Sequence, residues 1–180
     1  MENRWSDKDA KAWISKCDGE GVGEELALRV YTARLLGQDQ DLVLHGGGNV
    51  SLKSLLPDIF GREQEIMFIK GSGWDLATLE VSGLPAVRLA PLRQLQELDF
   101  IEDLSMVGVL RGNLLNSRSP DPSVETLLHA FLPHRVVDHT HANAILALSD
   151  QPDGDQICSE IFAGKAAIVP YNMPGLLLAK

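Results

Sequence analysis

The chain has 180 residues and a mass of 19.7 kDa, with 44% hydrophobic and 23% charged residues. These values are ordinary for one globular domain, and they exclude a disordered chain, a collagen and a coiled coil. The formal net charge is -9, from 16 Lys and Arg against 25 Asp and Glu. Because nucleic-acid binding needs clustered positive charge, we expect no nucleic-acid partner, and any phosphate site must be small and local.

Cysteine usage and the N-terminal sequence indicate a cytoplasmic protein. Cys17 and Cys158 are far apart in sequence and form no CxxC motif, which fits a reducing compartment. The N-terminal segment MENRWSDKDAKAW is polar and lacks the apolar core of a signal peptide. No stretch reaches the roughly 20 apolar residues that a membrane span needs, so we expect no membrane association.

The first half of the chain predicts two helices followed by strands. Ser6 and Asp9 resemble a capping box at the start of a short helix, and EELALRVYTARLLG has the apolar spacing of a second helix. The strand-like runs that follow are LVLH, NVSLK, EIMFIK and AVRLAP. Because Gly46-Gly47-Gly48 joins the first two runs directly, a mixed or antiparallel sheet fits better than a doubly wound sheet.

The second half predicts three helices and two further strands. One helix lies within LDFIEDLSMVGVLRGNLL, a second runs from PSVE to about Leu132, and ANAILALS is the third. Strands are predicted for RVVDHTHAN and AAIVPY. The chain contains no internal repeat and no clear linker, so we expect residues 1–180 to form a single α/β domain with helices flanking the sheet.

His139-Thr140-His141 is the sharpest candidate for a metal site. Residues i and i+2 of a strand point to the same face, so two imidazoles can converge on one ion. Imidazole suits zinc, and a catalytic zinc commonly has three protein ligands and one open position. On its own, however, an HxH pair is more often two hydrogen-bonded or solvated histidines. A carboxylate is one candidate for the third ligand, because no pattern brings in His45, His129 or His134.

Glu125 is the candidate acid/base residue, because it follows Ser123 at the predicted start of a helix. The ordinary explanation for a carboxylate in this place is that it complements the positive end of the helix dipole. The functional interpretation is that Glu125 lies near a metal, is partly desolvated, and therefore has a raised pKa and transfers protons. The nearby HxH motif is the one feature that favours the functional interpretation.

Three segments are candidates for binding a phosphate. The segments Gly46–Ser51 and Gly71–Gly73 can present backbone N–H groups to an anion, and Ser123 would add the N-terminus of a helix. Each is also an ordinary turn or cap, and neither loop matches the Walker A or GxGxxG pattern. The segment from His45 to Gly48 resembles an esterase oxyanion loop, but the sequence lacks the GxSxG motif that this class of enzyme requires.

Taken in order, the segments GGGNVSLK, IKGSG, PSVE and DHTHANAILAL resemble the class II aldolase/adducin family over about residues 23–180. The N-terminal portion resembles the aldolase portion of bifunctional rhamnulose-1-phosphate aldolase/alcohol dehydrogenases, although these 180 residues contain no dehydrogenase region. The resemblance implies a three-layer α/β/α fold with a central mixed or mainly antiparallel sheet, and a homotetramer. It also implies zinc-dependent retro-aldol cleavage of a ketose 1-phosphate to dihydroxyacetone phosphate and an aldehyde.

The resemblance further implies roles for individual residues. His139 and His141 would bind zinc, and Glu125 would transfer a proton at the dihydroxyacetone carbon. The substrate phosphate would be held by Gly48, Asn49, Ser72, Gly73 and Ser123. The family often has a hydroxyl residue where this chain has Val124, so one phosphate donor is missing here.

The family's third zinc histidine lies in a later H-G segment, which these 180 residues lack. We therefore expect a domain without its C-terminal part and a weak or empty metal site. Two alternatives to an aldolase stay open: a non-catalytic aldolase/adducin-like module for assembly or binding, and a sugar-phosphate epimerase or decarboxylase of the same superfamily. Lys53 and Lys70 supply local positive charge for a sugar phosphate in an otherwise acidic chain.

Overall fold

The structure is a computed structural model that describes residues 2–19 and 21–180. Within these ranges four strands form one antiparallel sheet in the order β3-β2-β1-β4. The strands are β1 (Asn49–Pro57), β2 (Glu63–Ile69), β3 (Ala86–Arg88) and β4 (Val136–His139). The helices are α1 (Asp7–Asp18), α2 (Glu24–Gly37), α3 (Leu89–Gln94), α4 (Asp103–Gly112), α5 (Thr126–Phe131), α6 (Asn143–Ser149), α7 (Gly154–Phe162) and α8 (Leu176–Ala179). Short 3-10 helices span Leu76–Thr78, Val81–Gly83 and Leu95–Glu97.

The sheet separates two apolar cores and so forms the middle of three layers. On one side Val50 of β1 packs with Val30 of α2. On the other side Met67 of β2 packs with Leu92 of α3 and Leu127 of α5. Successive side chains of a strand point to opposite faces, so strands covered on both faces need apolar residues in both sets of positions. The α/β/α fold with an antiparallel sheet confirms the predicted fold class.

A tight turn at residues 58–62 joins β1 to β2 and fixes their register. Asp58 Oδ1 accepts the backbone N–H groups of Phe60 and Arg62 at 2.8 and 2.9 Å, and Gly61 adopts a φ of 77°. The resulting register pairs Ser51 with Ile69. Since β1 begins beside the point where β2 ends, Gly46–Gly48 before β1 and Gly71–Gly73 after β2 lie at the same end of these two strands. We call them the two glycine segments.

The predicted helices agree with the structure except around α5 and α7. Ser6 caps α1 by accepting the backbone N–H of Asp9 at 3.3 Å, and α2 spans the predicted residues. The PSVE segment is a loop, and α5 begins only at Thr126. The sequence patterns missed α7. Among the described residues, no helix has the length and apolar character that crossing a membrane requires.

Two predicted strands were wrong. LVLH forms turns instead, in which the N–H of Val43 donates to the Asp39 carbonyl at 3.1 Å and His45 adopts a φ of 52°. AAIVPY has no regular structure, and the side chains of Val169 and Tyr171 are exposed. Strand propensity reflects packing against neighbouring strands, and neither segment has such a neighbour in the described structure. The strand predicted for AVRLAP is only partly confirmed, because α3 begins immediately after three residues of strand.

Candidate active site

The predicted site residues meet at one end of the sheet. Asn49, the first residue of β1, is the register partner of His139, the last residue of β4. The loop before α5 runs past the end of β2, where the N–H of Ser123 donates to the Lys70 carbonyl at 3.2 Å. Segments that are far apart in sequence therefore converge around Glu125.

Glu125, His139 and His141 form a compact group of potential metal ligands. One ligand atom from each residue lies within 4.8 Å of the others, and Nδ1 of His139 is 3.3 Å from Oε1 of Glu125. The two imidazole rings lie 4.8 Å apart between centroids. β4 ends at His139, so His141 follows the strand, where its N–H donates to the Leu42 carbonyl at 2.8 Å. The structure thus brings together the two rings of the HxH motif and a carboxylate.

The atoms and spaces around this group fit a divalent metal ion. Nδ1 of His139 is buried, and its one polar neighbour among the described residues is Oε1 of Glu125, with which it forms no hydrogen bond of regular geometry, so a metal ion could take its lone pair. A Cβ atom at position 47 would lie 3.1 Å from Nδ1 of His141, so Gly47 leaves room for that ring. Two imidazoles and a carboxylate are a usual zinc donor set. These three residues could hold such an ion.

Glu125 is fixed by its neighbours. Nδ2 of Asn49 donates to Oε2 of Glu125 at 3.1 Å, and the Ser123 hydroxyl donates to the same oxygen at 3.5 Å. Burial raises the pKa of the Glu125 carboxyl, but its contacts with His139 and Asn49 outweigh burial and lower the pKa to about 2. The sequence-based expectation of a raised pKa is therefore wrong in sign, because the neighbours stabilise the ionised form.

Lys70 connects the two glycine segments. Its ammonium group is buried and donates from Nζ to the carbonyl of Gly46 at 3.0 Å and to that of Trp74 at 2.8 Å. Burial lowers the pKa of Lys70, while the negative charges of Glu125 and Asp75 raise it. A cation thus lies between the two loops that the sequence proposed for phosphate binding.

Gly48 occupies a position that only glycine fits. Its φ of 69° lies in the left-handed region. A Cβ atom at this position would lie 2.6 Å from Cγ1 of Val43 and 2.8 Å from the carbonyl oxygen of His139. This glycine therefore allows the Gly46–Gly48 segment to lie close to β4, the strand that ends at His139.

Comparison with known proteins identifies the family. The family model described as Class II Aldolase and Adducin N-terminal domain matches residues 27–180. The chain belongs to the class II aldolase/adducin family. The structure of the N-terminal class II aldolase domain of a conserved protein from Thermoplasma acidophilum is 35% identical with a TM-score of 0.84, covering 99% of this chain and 78% of that chain.

A curated relative of this aldolase/adducin domain is much longer. Uncharacterized oxidoreductase YuxG from Bacillus subtilis (strain 168) is 42% identical over 151 residues, which cover 84% of this chain. The matched region is 22% of that protein. The chain therefore spans about a fifth of the length of this relative, and the family membership concerns the aldolase-like region alone.

The residues predicted to bind phosphate in this aldolase/adducin domain differ in accessibility. Ser72 and Gly73 are exposed, whereas Gly48, Asn49 and Ser123 are buried. The amide of Asn49 already donates to Glu125. The exposed side chain of Val124 offers no hydrogen-bond donor. Of these five residues, the accessible ones therefore belong to the Gly71–Gly73 segment, and the phosphate role of all five stays a prediction.

Sequence reasoning missed a row of polar contacts between β1 and α5. Ser51 Oγ is hydrogen-bonded to Nδ1 of His129 at 2.8 Å, and both residues are fully buried. Lys53 donates from Nζ to the Leu132 carbonyl. We call these contacts, together with that of Asn49 and Glu125, the β1–α5 polar row. Its signal in the sequence is the alternation of polar Asn49, Ser51 and Lys53 with apolar residues in NVSLK.

Proposed function

We propose that this domain catalyses zinc-dependent retro-aldol cleavage of a ketose 1-phosphate, such as rhamnulose 1-phosphate, to dihydroxyacetone phosphate and an aldehyde. The observation that carries the proposal is the convergence of Glu125, His139 and His141 beside two glycine segments. Membership of the class II aldolase/adducin family supports this class of reaction. In this proposal His139 and His141 hold the zinc ion, and Glu125 transfers the proton.

The residues of the chain contribute separately to the reaction. A bound zinc ion supplies Lewis acidity for the negative charge that develops as the carbon–carbon bond breaks. Glu125 is ionised at neutral pH, and in the metal-free domain His139 and Asn49 stabilise the ionised form and lower its pKa to about 2 despite burial. It can therefore accept a proton from the carbon of dihydroxyacetone phosphate in the condensation direction. In cleavage the hydroxyl group that becomes the aldehyde loses its proton to water, and Glu125 takes up a proton from water and delivers it to the same carbon. Asn49 holds the carboxylate beside His139 and so keeps the base in a reactive position.

The glycine segments would bind the substrate phosphate away from the reacting carbon. Ser72 and Gly73 are exposed, and the buried ammonium group of Lys70 lies between the two segments. Binding energy from such a remote group can position the substrate for reaction. Because Val124 replaces a hydroxyl residue, we expect fewer contacts to the phosphate than the family usually makes.

The test is an assay of rhamnulose 1-phosphate cleavage with and without added zinc. The reaction is monitored through the release of dihydroxyacetone phosphate. We expect Glu125→Gln and His139→Ala each to lower kcat by at least roughly 100-fold, the scale of a lost acid/base or metal-binding group. His134→Ala is the matched control, because His134 is an exposed histidine in a loop. It should retain wild-type activity.

Because the curated relative is much longer than this chain, the same assay should be run on the complete gene product. Absence of cleavage there, with the protein folded and zinc bound, would contradict the aldolase proposal. Sugar-phosphate binding without turnover would instead favour a non-catalytic module.

A further inference from the structure

We propose that Ser51 and His129 are positioning residues that set the direction of the Glu125 carboxylate. The catalytic consequence rests on the proposed function, whereas the geometric consequence rests on the β1–α5 polar row alone. Neither residue belongs to the group of potential metal ligands. Their effect would pass through the contact between Asn49 and Glu125.

The β1–α5 polar row can form because the spacing of alternate residues in a strand is close to the rise of four residues in a helix. Asn49, Ser51 and Lys53 are alternate residues of β1, so they share one face and are spaced by about 6.7 Å. Glu125 and His129 are four residues apart, which is about 6 Å along a helix. Because these two spacings match, successive polar side chains of the strand meet successive turns of the helical segment.

The central contact of the row is the one best shielded from water. Ser51 and His129 are both fully buried, and their side chains are hydrogen-bonded at 2.8 Å. Next along the row, on the side of the active site, Asn49 donates to Glu125 at 3.1 Å. The N–H of His129 also donates to the Glu125 carbonyl at 3.2 Å. The buried pair is thus linked to Glu125 through both the strand and the helix.

A polar pair at this place restricts the helix more than an apolar pair would. α5 has six residues, and its apolar residues Leu127 and Ala130 pack into the core on the same side of the sheet as Met67. Apolar contacts are non-directional, whereas a hydrogen bond weakens steeply when its angle or length changes. Burying polar groups is unfavourable unless they are paired. Nδ1 of His129 is paired with Ser51, whereas its Nε2 has no hydrogen-bond partner among the described residues. The Ser51–His129 bond therefore favours one rotation of α5, the one in which Glu125 faces Asn49.

The experiment compares four variants of the domain. Ser51→Ala removes one partner of the bond, and His129→Leu removes the other together with its polar nitrogens. His129→Asn keeps a polar group near the position of Nδ1, so it is the conservative variant. Leu127→Val is the matched control, because Leu127 is fully buried on the same helix but belongs to the apolar core. The measurements are stability, zinc affinity, kcat and KM, and hydrogen exchange of the Asn49 side-chain amide by NMR.

We expect Ser51→Ala and His129→Leu to lower kcat by about 10–100-fold, because Glu125 is no longer held in position. Zinc binding should weaken to a similar degree, because the Glu125 carboxylate lies within 4.8 Å of the histidine ligand atoms and is the third potential ligand of the group. KM should change much less, because the phosphate segments stay in place. Exchange of the Asn49 amide should become faster. His129→Asn should restore most of these properties, and Leu127→Val should lower stability without changing zinc affinity or Asn49 exchange.

The inference is overturned if Ser51→Ala lowers stability but leaves zinc affinity and Asn49 exchange unchanged, because the pair would then have only a structural role. Ser51→Ala decides the matter if His129→Leu does not fold. Failure of the proposed function can be distinguished from failure of this positioning inference. A domain that cleaves no sugar phosphate would contradict the aldolase proposal, while zinc affinity still tests the positioning. If the wild type binds no zinc, Asn49 exchange alone decides.

Discussion

At the scale of single residues, Gly48 gives a direct test of the site's backbone. Gly48 and Gly61 both have positive φ values, 69° and 77°, but only at Gly48 would a Cβ atom meet other atoms. We expect Gly48→Ala to lower the free energy of unfolding by roughly 2–4 kcal/mol, because steric clash adds to backbone strain. Gly61→Ala should cost about 1 kcal/mol, from backbone strain alone. Urea unfolding of both variants checks this, and equal losses would contradict it.

His129 predicts how stability depends on pH. Burial, together with the charge of His139, lowers the pKa of His129 from 6.5 to about 4. Between these values the unfolded chain binds a proton that the folded chain does not bind, so folding is weakened as the pH falls. The contribution is fully present above pH 6.5 and is lost as the pH falls to about 4. The total loss should be about 3 kcal/mol.

The measurement for His129 is urea unfolding at several pH values within this window. His129→Asn should show a flatter dependence on pH than the wild type, although it starts from a different stability. His134→Ala, at an exposed histidine, should keep the wild-type slope. A wild-type slope in His129→Asn would show that other groups cause the pH dependence.

The convergence of the two histidines was predictable from the sequence, because it depends on their local spacing. The HxH spacing was enough to propose that His139 and His141 converge, and the structure brings their rings together. The pKa of Glu125 was not predictable in the same way. Its sign depends partly on Asn49, which is 76 positions away in sequence and reaches Glu125 only in the folded chain.

At the scale of elements, an ion pair between the buried Arg29 and the exposed Asp138 connects α2 to β4. Arg29 of α2 is buried, and its guanidinium donates to Asp138 and to the Val137 carbonyl. Removing Asp138 leaves a buried charge without its partner, whereas replacing Arg29 by an apolar side chain removes the charge itself. We therefore expect Asp138→Ala to be more destabilising than Arg29→Met, with a loss of roughly 2 kcal/mol for Asp138→Ala, because the Arg29 guanidinium is buried while the Asp138 carboxylate is partly exposed.

Urea unfolding of the two variants tests this order. Arg93→Ala is the control, because Arg93 forms an exposed pair with Glu65, 2.9 Å apart. Exposed pairs contribute little, so its loss should stay below about 1 kcal/mol. Equal effects of Asp138→Ala and Arg93→Ala would show that burial of Arg29 does not matter to the pair.

The sequence predicted helices better than strands, and the difference has a physical cause. The apolar spacing of α2 and the cap at Ser6 are local properties, and both appear in the structure. A strand instead needs a neighbouring strand. NVSLK has two such neighbours, β2 and β4, whereas LVLH and AAIVPY pair with no strand in the described ranges. Composition alone could not distinguish these cases.

At the scale of the whole molecule, we predict that the purified domain holds zinc weakly. His139 and His141 supply two imidazole ligands. The third potential ligand, the Glu125 carboxylate, accepts a hydrogen bond from Asn49 and is the proposed proton-transfer group. Added zinc should therefore raise the stability of the domain by mass action, by about 2.7 kcal/mol at 100 times the dissociation constant. His139→Ala should abolish this increase.

Metal analysis after dialysis, together with urea unfolding at increasing zinc concentration, checks the prediction. The control is again His134→Ala, which should respond to zinc like the wild type. One zinc ion per chain that survives dialysis against a chelator would contradict weak binding.

The position of β4 at the edge of the sheet has a consequence for association between molecules. In the described structure no strand lies beyond β4, and the side chain of Val136 is exposed. An unpaired strand edge can act as a template for other chains, and proteins limit this by keeping such strands short and charged. β4 has four residues, one of them Asp138. The strand that carries His139 therefore also bears on the protein's tendency to aggregate.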